Sequence, residues 1–190
     1  MNPTEQPIEH PKKENFFKEI VKFTLIALAI VIPIRTYIAQ PFIVSGASME
    51  PTFETGQYLI VDQLSYHIEA PKRDDVIVFK YPYRASTYFI KRVIGLPGET
   101  VSIEGGKVTI LNSEHPEGIK LDDSFVSDEH KSSENYKITL GPTEYFVMGD
   151  NRAASSDSRI WGPLDAKYII GKPFIRLFPI SKIDVYPGKI

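Results

Sequence analysis

The longest run of apolar residues lies near the amino end of the chain, in the segment 16–38. Its uninterrupted core, from Phe23 to Ile34, is twelve residues long, which is short for a bilayer span of about 20 apolar residues. Lys22 and Arg35 flank this core, and their long side chains can place the charges at the lipid headgroups. We therefore expect residues 16–38 to form a transmembrane signal-anchor. A buried core helix and a cleaved signal peptide are the alternatives.

The charges on the two sides of this segment indicate its orientation. Arg35 follows the apolar core, whereas four lysines precede it: Lys12, Lys13, Lys18 and Lys22. Because positively charged flanks stay in the cytoplasm, we expect a cytoplasmic tail over 1–15 and an extracytoplasmic domain over 39–190. The tail is polar and dotted with prolines, so we expect it to be disordered. Ala27-Leu28-Ala29 mimics a processing site, but cleavage there would cut inside the apolar core.

Beyond residue 38 the pattern changes to short runs of β-branched and aromatic residues between turns, which predicts a mainly β fold in one domain. The predicted strands are 40–44, 58–62, 76–80, 87–94, 100–103, 107–111, 136–140, 145–148 and 168–178. The near-continuous apolar run at 76–80 is typical of a strand buried on both faces. Residues 112–135 are acidic, rich in serine and poor in large apolar residues. We expect them to form a long surface insertion.

Composition excludes several classes of function. The 190 residues carry a formal net charge of −2, so no overall field draws the chain to nucleic acid, and we expect no nucleic-acid partner. The chain has no cysteine, which excludes a thiol nucleophile, a disulfide framework and thiolate metal sites. We expect neither a metal nor a cofactor.

The candidate nucleophile is Ser48, which follows the apolar segment and the first predicted strand. A serine hydroxyl is a poor nucleophile until a base takes its proton. None of the four histidines lies in surroundings that mark it as catalytic, whereas Lys91 lies in an apolar strand among Phe89, Ile90, Val93 and Ile94. Full burial lowers the pKa of a lysine by ~3–5 units. Lys91 is therefore the candidate base.

Both residues also have simpler interpretations. A serine in this context is equally typical of a helix cap or a turn, and a lysine on a strand is typical of a sheet edge that faces solvent. A triad of Ser48, His67 and Asp74 is a further alternative, although nothing in the local sequence supports it.

Four blocks of the sequence, in this order, resemble the bacterial type I signal peptidases, membrane-anchored serine proteases that remove signal peptides from exported proteins. The blocks are the apolar segment leading to Pro41-Phe42, Ser-Met-x-Pro-Thr within Ser45 to Thr52, Ile-Lys-Arg-Val-Ile-Gly-Leu-Pro-Gly within Phe89 to Gly98, and Gly-Asp-Asn-Arg-x-x-Ser-x-Asp-Ser-Arg over Gly149 to Arg159. The resemblance implies a β-rich catalytic domain on the outer face of the membrane. It also implies a Ser-Lys dyad of Ser48 and Lys91 that works through an acyl-enzyme.

The resemblance implies further roles near this dyad. The supporting residues are Ser155, which orients the Lys91 amine, and two structural ion pairs, Asp150 with Arg92 and Asp157 with Arg159. The Ser48 backbone N–H is implied as one oxyanion donor. Some relatives add a serine hydroxyl two residues before the nucleophile, but this chain has Gly46 there, so the second donor stays open.

Substrate selection is implied in the same way. Shallow pockets would accept small residues at positions −1 and −3 of the cleaved bond, and the residues implied around them are Phe42, Val44, Met49, Phe53, Phe89 and Ile90. The cleaved segment is expected to bind extended along sheet edges near Val44 and residues 81–88. The implied partners are signal-peptide-bearing preproteins, the lipid bilayer and the secretion translocon. The implied location of this chain is the bacterial cell membrane, which it would cross once.

Two alternatives from other classes stay open. A self-cleaving repressor of the Ser-Lys type uses a similar dyad, but it should carry a DNA-binding helical domain in place of the apolar segment. A catalytically inactive, membrane-tethered β module would retain the fold without the chemistry.

Overall fold

The structure is a computed structural model that describes residues 16–189. The predicted tail over 1–15 lies outside the described residues, as does residue 190. Helix α1 spans Phe16–Pro33 and continues as a π-helix over Ile34–Ile38 into the first strand. The strands are β1 Ala39–Ile43, β2 Tyr58–Asp62, β3 Val76–Tyr81, β4 Arg84–Gly95, β5 Thr100–Glu104, β6 Lys107–Leu111, β7 Ile119–Lys120, β8 Tyr136–Thr139, β9 Glu144–Met148, β10 Leu164–Asp165, β11 Ile169–Phe178 and β12 Asp184–Val185.

These strands form two antiparallel sheets, so the prediction of a mainly β fold is confirmed. The larger sheet has the order β1-β2-β11-β3-β4-β9-β10, with β12 paired to β11, and the smaller has the order β7-β6-β5-β8. Two short helices, α2 over Ser65–Ile68 and α3 over Ser158–Trp161, complete the regular structure, together with 3₁₀ turns at Asp128–His130, Arg152–Ala154, Ala166–Tyr168 and Ile180–Lys182.

Helix α1 contributes nothing to the core. Each of its residues is exposed, including the large apolar side chains of Phe16, Phe23 and Leu25. Among residues 16–189, none of the helices has both the length and the apolar content needed to cross a bilayer. The predicted transmembrane span over 16–38 is therefore not confirmed.

The core of the domain has three parts, all of which contact β4, and the first two also include residues of β9. One lies between the smaller sheet and the ends of these strands, through Ile94 and Phe146. A second lies against β3 and includes Trp161. The third packs Met49 and Phe53 against Leu59 and Val76. It fixes the turn that follows β1, because a turn whose apolar side chains are buried cannot move freely.

The segment 112–135 extends from β6 to β8 and packs against the domain rather than standing clear of it. It contains β7 and one 3₁₀ turn, and Val126 is buried. Asp123 pairs with Arg152 at 2.6 Å, and Glu134 pairs with Arg159. The segment therefore forms contacts with the loop that follows β9.

Candidate active site

The turn after β1 carries Ser48 and is held by its own apolar residues. Met49 and Phe53 are almost completely buried, and the Phe53 N–H donates to the Met49 carbonyl at 2.8 Å. Ser48 itself is half-buried. The sequence pattern that places apolar residues at 49 and 53 thus anchors the turn and leaves the serine at its surface.

Strand β4 brings Lys91 to this serine. The Lys91 Nζ donates to the Ser48 Oγ at 2.6 Å and to the Ile90 carbonyl at 2.9 Å. Only 3% of Lys91 is exposed, and the Nζ lies 5.4 Å from the centre of the Phe89 ring. The edge-strand interpretation of Lys91 is therefore wrong, since its amine is enclosed and directed at a hydroxyl.

Burial lowers the pKa of the Lys91 amine from its usual 10.5 to about 8. The carboxylates of Asp157 and Asp150 oppose this shift, because negative charge favours the ammonium, and the cation of Arg159 reinforces it. A lysine with a pKa near 8 is neutral in a substantial fraction of molecules at neutral to mildly alkaline pH. The amine can therefore act as a base there.

Arg92, the next residue on β4, is buried with a complete set of partners. Its Nε and Nη2 donate to the two carboxylate oxygens of Asp150 at 2.8 and 2.6 Å. Its Nη1 donates to the carbonyls of Asp74 and Gly188, both at 2.8 Å. Thr52 also donates to Asp150 at 2.6 Å, so this ion pair joins β4 to both the serine turn and the loop after β9.

The second implied pair, Asp157 with Arg159, lies at the start of α3. The Arg159 Nε and Nη2 reach the Asp157 carboxylate at 2.8 and 2.7 Å. Asp157 also accepts the Gly149 N–H at 3.0 Å and caps α3 by accepting the Arg159 N–H. The pair therefore folds the loop after β9 back on itself.

Ser155 lies in this loop, close to the serine turn. Its Oγ is buried and has no hydrogen-bond partner among the described residues. A Cβ added at Gly149 would lie 2.4 Å from this oxygen and 2.2 Å from the Ser48 carbonyl oxygen, which locates Ser155 beside the turn that carries Ser48. The Lys91 amine makes its hydrogen bonds to Ser48 and Ile90 instead. The orienting role implied for Ser155 stays a prediction.

Two glycines are required by this arrangement. At Gly149 any side chain would collide with the Ser48 carbonyl, so only glycine permits the close approach of the two segments. Gly46 has a φ of +98°, a conformation that other residues rarely adopt. Its N–H donates to the Thr55 Oγ1 at 3.0 Å, so this backbone donor is already engaged and is not free to serve as the second oxyanion donor.

A cleft of about 270 Å³ opens next to Ser48 and Lys91. Four of the implied pocket residues line it, namely Phe42, Val44, Phe89 and Ile90. Met49 and Phe53 do not, because they point into the core beneath the turn, so their assignment to the pocket is corrected. The cleft is completed by Ser48, Lys91 and residues that were not among the implied pocket residues: Ile43, Ser45, Leu59, Val78, Tyr88 and Ser156.

Sequence reasoning also missed two buried residues of the loop after β9, Asn151 and Arg152. Arg152 is 4% exposed and donates to the Gly149 carbonyl at 3.1 Å and to Asp123 at 2.6 Å. Asn151 donates to the backbone of the serine turn. Both lie in the quoted Gly-Asp-Asn-Arg block, and their position between two site residues was the available indication.

The alternative triad is not assembled. His67 is exposed on α2, with its Nδ1 next to the Gln63 carbonyl at 2.8 Å. Asp74 has one buried carboxylate oxygen without a partner among the described residues. Lys91, and not a histidine, forms the hydrogen bond to the Ser48 side chain. The site can therefore support attack by a serine oxygen whose proton passes to an amine.

Known proteins show the same sequence features over most of the chain. The family model described as "Signal peptidase, peptidase S26" matches residues 17–178. The signal peptidase I of Leptolyngbya laminosa is 34% identical over 95% of this chain and 89% of its own length. The signal peptidase I of Bacillus licheniformis is 33% identical over 90% of this chain and 94% of its own.

A solved structure of a signal peptidase I from Enterococcus faecalis V583 matches with a TM-score of 0.47 and 29% identity, over 55% of this chain and 97% of the other. The family model and the relatives, in contrast, span nearly all of the described residues. The chain therefore belongs to the signal peptidase family of peptidases, S26.

Proposed function

We propose that the chain is a membrane-bound endopeptidase that removes signal peptides from exported preproteins, with Ser48 as nucleophile and Lys91 as general base. The observation that carries this proposal is the 2.6 Å contact between the Ser48 Oγ and the amine of Lys91, a residue that is only 3% exposed and forms no ion pair with a carboxylate among residues 16–189. Family membership supports the substrate class.

In the first half-reaction the neutral Lys91 amine takes the Ser48 proton as the Oγ attacks the carbonyl carbon of the scissile bond. The Ser48 backbone N–H stabilises the resulting oxyanion. When the tetrahedral intermediate collapses, the Lys91 ammonium gives its proton to the leaving nitrogen, which becomes the amino terminus of the mature protein. The signal peptide stays attached to Ser48 as an ester.

In the second half-reaction a water molecule takes the place of the mature protein's amino terminus, which has left the site. Lys91 is neutral again and takes a proton from the attacking water, whose oxygen forms the new bond to the acyl carbon. Collapse of the second tetrahedral intermediate breaks the ester, and the proton returns to the Ser48 oxygen. The signal peptide leaves with a free carboxylate, and the dyad is restored.

Selection of small residues at −1 and −3 follows from the walls of the cleft. Phe42, Val44, Phe89 and Ile90 bring bulky groups close to Ser48, so the space next to the reacting bond admits alanine and excludes large side chains. Strand β1 is an edge strand, and β4 pairs with β9 only from Arg92 onward. An extended substrate segment therefore has unpaired strand edges on both sides of the cleft to bind.

Attachment to the membrane is proposed for the segment 16–38. Its 18 residues of α-helix and five of π-helix run directly into β1, and its apolar side chains are exposed without packing on the domain. Burial of that surface in lipid would stabilise it by roughly 25 cal/mol per Å². The same placement would hold the cleft at the membrane surface, where the translocon delivers preproteins, with residues 1–15 on the cytoplasmic side.

The test is processing of a precursor that has an Ala-x-Ala junction, by the full-length protein in liposomes. Ser48→Ala should abolish cleavage, and acid-quenched wild type should carry the signal peptide as an ester on the Ser48 peptide in mass spectra. Ser113→Ala, an exposed serine of the insertion, is the matched control. Full processing by Ser48→Ala would contradict the proposal.

A further inference from the structure

The buried side chain of Asn151 makes contacts on both sides of the candidate nucleophile. Its Nδ2 donates to the Ala47 carbonyl at 3.1 Å, and its backbone N–H donates to the Ser48 carbonyl at 3.1 Å. Only 5% of Asn151 is exposed. One residue of the loop after β9 therefore holds the carbonyl groups of two consecutive peptide units, the one before Ser48 and the one after it.

The geometry of the peptide bond turns this hold into an orientation. In a trans peptide the carbonyl of residue 47 and the N–H of Ser48 belong to one rigid plane and point in opposite directions. A group that fixes the Ala47 oxygen therefore fixes the direction of the Ser48 N–H. That N–H donates to no group among the described residues, so it is available to an oxyanion.

A second donor restrains the same oxygen. The Glu50 N–H reaches the Ala47 carbonyl at 3.1 Å, so the oxygen is fixed from within the turn and, through Asn151, from the loop after β9. The contact from Asn151 connects the peptide plane to the loop after β9, which also carries Asp150. This plane also bears the Ser48 Cα, so the contact also restrains the backbone atom from which the Ser48 side chain extends towards Lys91.

We propose that Asn151 is a positioning residue that aims the Ser48 N–H at the oxyanion formed during cleavage. The proposal rests on the function proposed above, because it needs Ser48 as the nucleophile. Asn151 does not touch the substrate itself. It acts through the peptide that carries the donor, so its loss should lower the rate of the chemical step and leave substrate binding largely unchanged.

Asn151 also has a purely structural task, which the test must separate. Its Oδ1 accepts the Ala154 N–H at 3.1 Å and caps the 3₁₀ turn over Arg152–Ala154. Asn151→Asp keeps an oxygen for this cap and has the same shape, but it replaces the Nδ2 donor by an acceptor that repels the Ala47 carbonyl. A structural role alone predicts little change in this variant.

The experiment compares kcat and KM of the full-length protein for the Ala-x-Ala precursor in liposomes. One oxyanion donor is worth about 10²–10³ in kcat, and a misaligned donor keeps part of that, so Asn151→Asp should lower kcat by roughly 10- to 100-fold with KM within about twofold. Rates are taken on the alkaline plateau, because the new carboxylate favours the Lys91 ammonium and would otherwise lower the rate at neutral pH.

A second readout reports the oxyanion site directly. A peptide aldehyde with the Ala-x-Ala sequence adds the Ser48 hydroxyl across its carbonyl and places the former carbonyl oxygen at the donor, whereas the product peptide forms no such bond. Asn151→Asp should weaken aldehyde binding in proportion to kcat and leave product binding unchanged. Since both affinities come from one sample, their ratio does not depend on the folded fraction.

Asn135→Asp is the matched control, because Asn135 also accepts a backbone N–H through its Oδ1, from Gly105 at 2.7 Å, and lies outside the site. Unchanged kcat and aldehyde affinity in Asn151→Asp would overturn the inference, while loss of cleavage in Ser48→Ala would leave the proposed function intact. Full cleavage by Ser48→Ala would instead defeat the proposed function. If Asn151→Asp does not fold, Asn151→Ser, which keeps a capping hydroxyl, is put through the same two measurements.

Discussion

Lys91 and Arg92 are neighbours on β4 with opposite electrostatic surroundings. Both are buried, with 3% and 1% of their surface exposed. Arg92 faces a carboxylate in a two-point ion pair and has two carbonyl acceptors besides. Lys91 has a hydroxyl and one carbonyl. Because successive residues of a strand point to opposite faces, one strand carries a fully compensated cation and an uncompensated amine side by side.

These surroundings determine what each cation can do. A paired, buried arginine is fixed in its charged form, so it joins β4 to Asp150 and cannot take part in proton transfer. An unpaired, buried lysine has a lowered pKa and can hold or release a proton near neutral pH. The first arrangement stabilises the frame formed by β4, the turn after β1 and the loop after β9. The second lowers the stability of the fold but makes proton transfer possible.

The largest expected effect is on the amine. Lys91→Met should lower the rate of precursor cleavage by at least about 10⁴-fold, because loss of the general base of a nucleophilic serine removes most of the catalytic effect. The measurement is processing in liposomes at pH 8.5. Lys107→Met, an exposed lysine on β6, should retain wild-type activity. Cleavage by Lys91→Met at a rate near that of Lys107→Met would mean that the enclosed amine is dispensable for cleavage. The contrast between Lys91 and Arg92 would then have no catalytic meaning.

The next effect is on the ion pair. Arg92→Met leaves the Asp150 carboxylate buried without its partner, so the free energy of unfolding should fall by about 3–5 kcal/mol. Urea unfolding in detergent micelles, followed by the fluorescence of Trp161, the only tryptophan of the chain, measures it.

Two controls sharpen this result. Arg84→Met removes an exposed arginine at the start of the same strand and should cost no more than about 0.5 kcal/mol. A double variant with Asp150→Leu should recover much of the loss, because it removes the unpaired charge as well. Equal stability of Arg92→Met and Arg84→Met would mean that the buried pair does not hold the frame.

Removal of Lys91 should raise the free energy of unfolding, whereas removal of Arg92 should lower it. The pKa of Lys91 is lower in the folded chain, so between pH 8 and 10.5 the unfolded chain binds a proton that the folded chain does not, and stability rises with pH through this window. Below pH 8 both states are protonated, and the buried charge costs about 3 kcal/mol. Lys91→Met should therefore be more stable than wild type by up to about 3 kcal/mol at pH 7, with the difference shrinking above pH 8. A variant less stable than wild type at pH 7 would contradict this.

The smallest effect concerns the insertion. The Phe125 ring lies over the guanidinium groups of Arg92 and Arg152, at 4.5 and 5.6 Å from their central carbons. Phe125→Leu removes these cation–π contacts and should lower the free energy of unfolding by about 1 kcal/mol. A double-mutant cycle with Arg152→Met measures the coupling. Zero coupling would mean that the Phe125 ring covers the Arg152 guanidinium without stabilising the fold.

Much of the sheet was predictable because burial imposes local patterns. The bounds of β2 and β6 agree with the predicted strands, and the apolar run at 76–80 is buried from Val76 to Phe79 as a two-sided strand should be. Lys91 was identifiable for the same reason, since a cation within an apolar strand has few positions open to water.

Other features depend on contacts between distant residues, which a local pattern does not contain. Met49 and Phe53 were assigned to the pocket, but the direction of a side chain in a turn depends on the core that receives it. The acidic insertion offered no indication that Asp123 would meet Arg152. Asn151 was overlooked because a polar residue in a loop belongs to no periodic hydrophobic pattern. Only the fold shows which carbonyl group it contacts.

The pKa of the Lys91 amine is the quantity on which the proposed mechanism depends most directly. Full-length protein labelled with ¹⁵N at the lysine side chains and held in micelles gives an Nζ signal that Lys91→Met identifies by its absence. We expect this signal to titrate with a midpoint of about 8, and we expect the cleavage rate to rise with the same midpoint. A Lys91 amine that stays protonated above pH 10 while cleavage proceeds at pH 8 would contradict this mechanism.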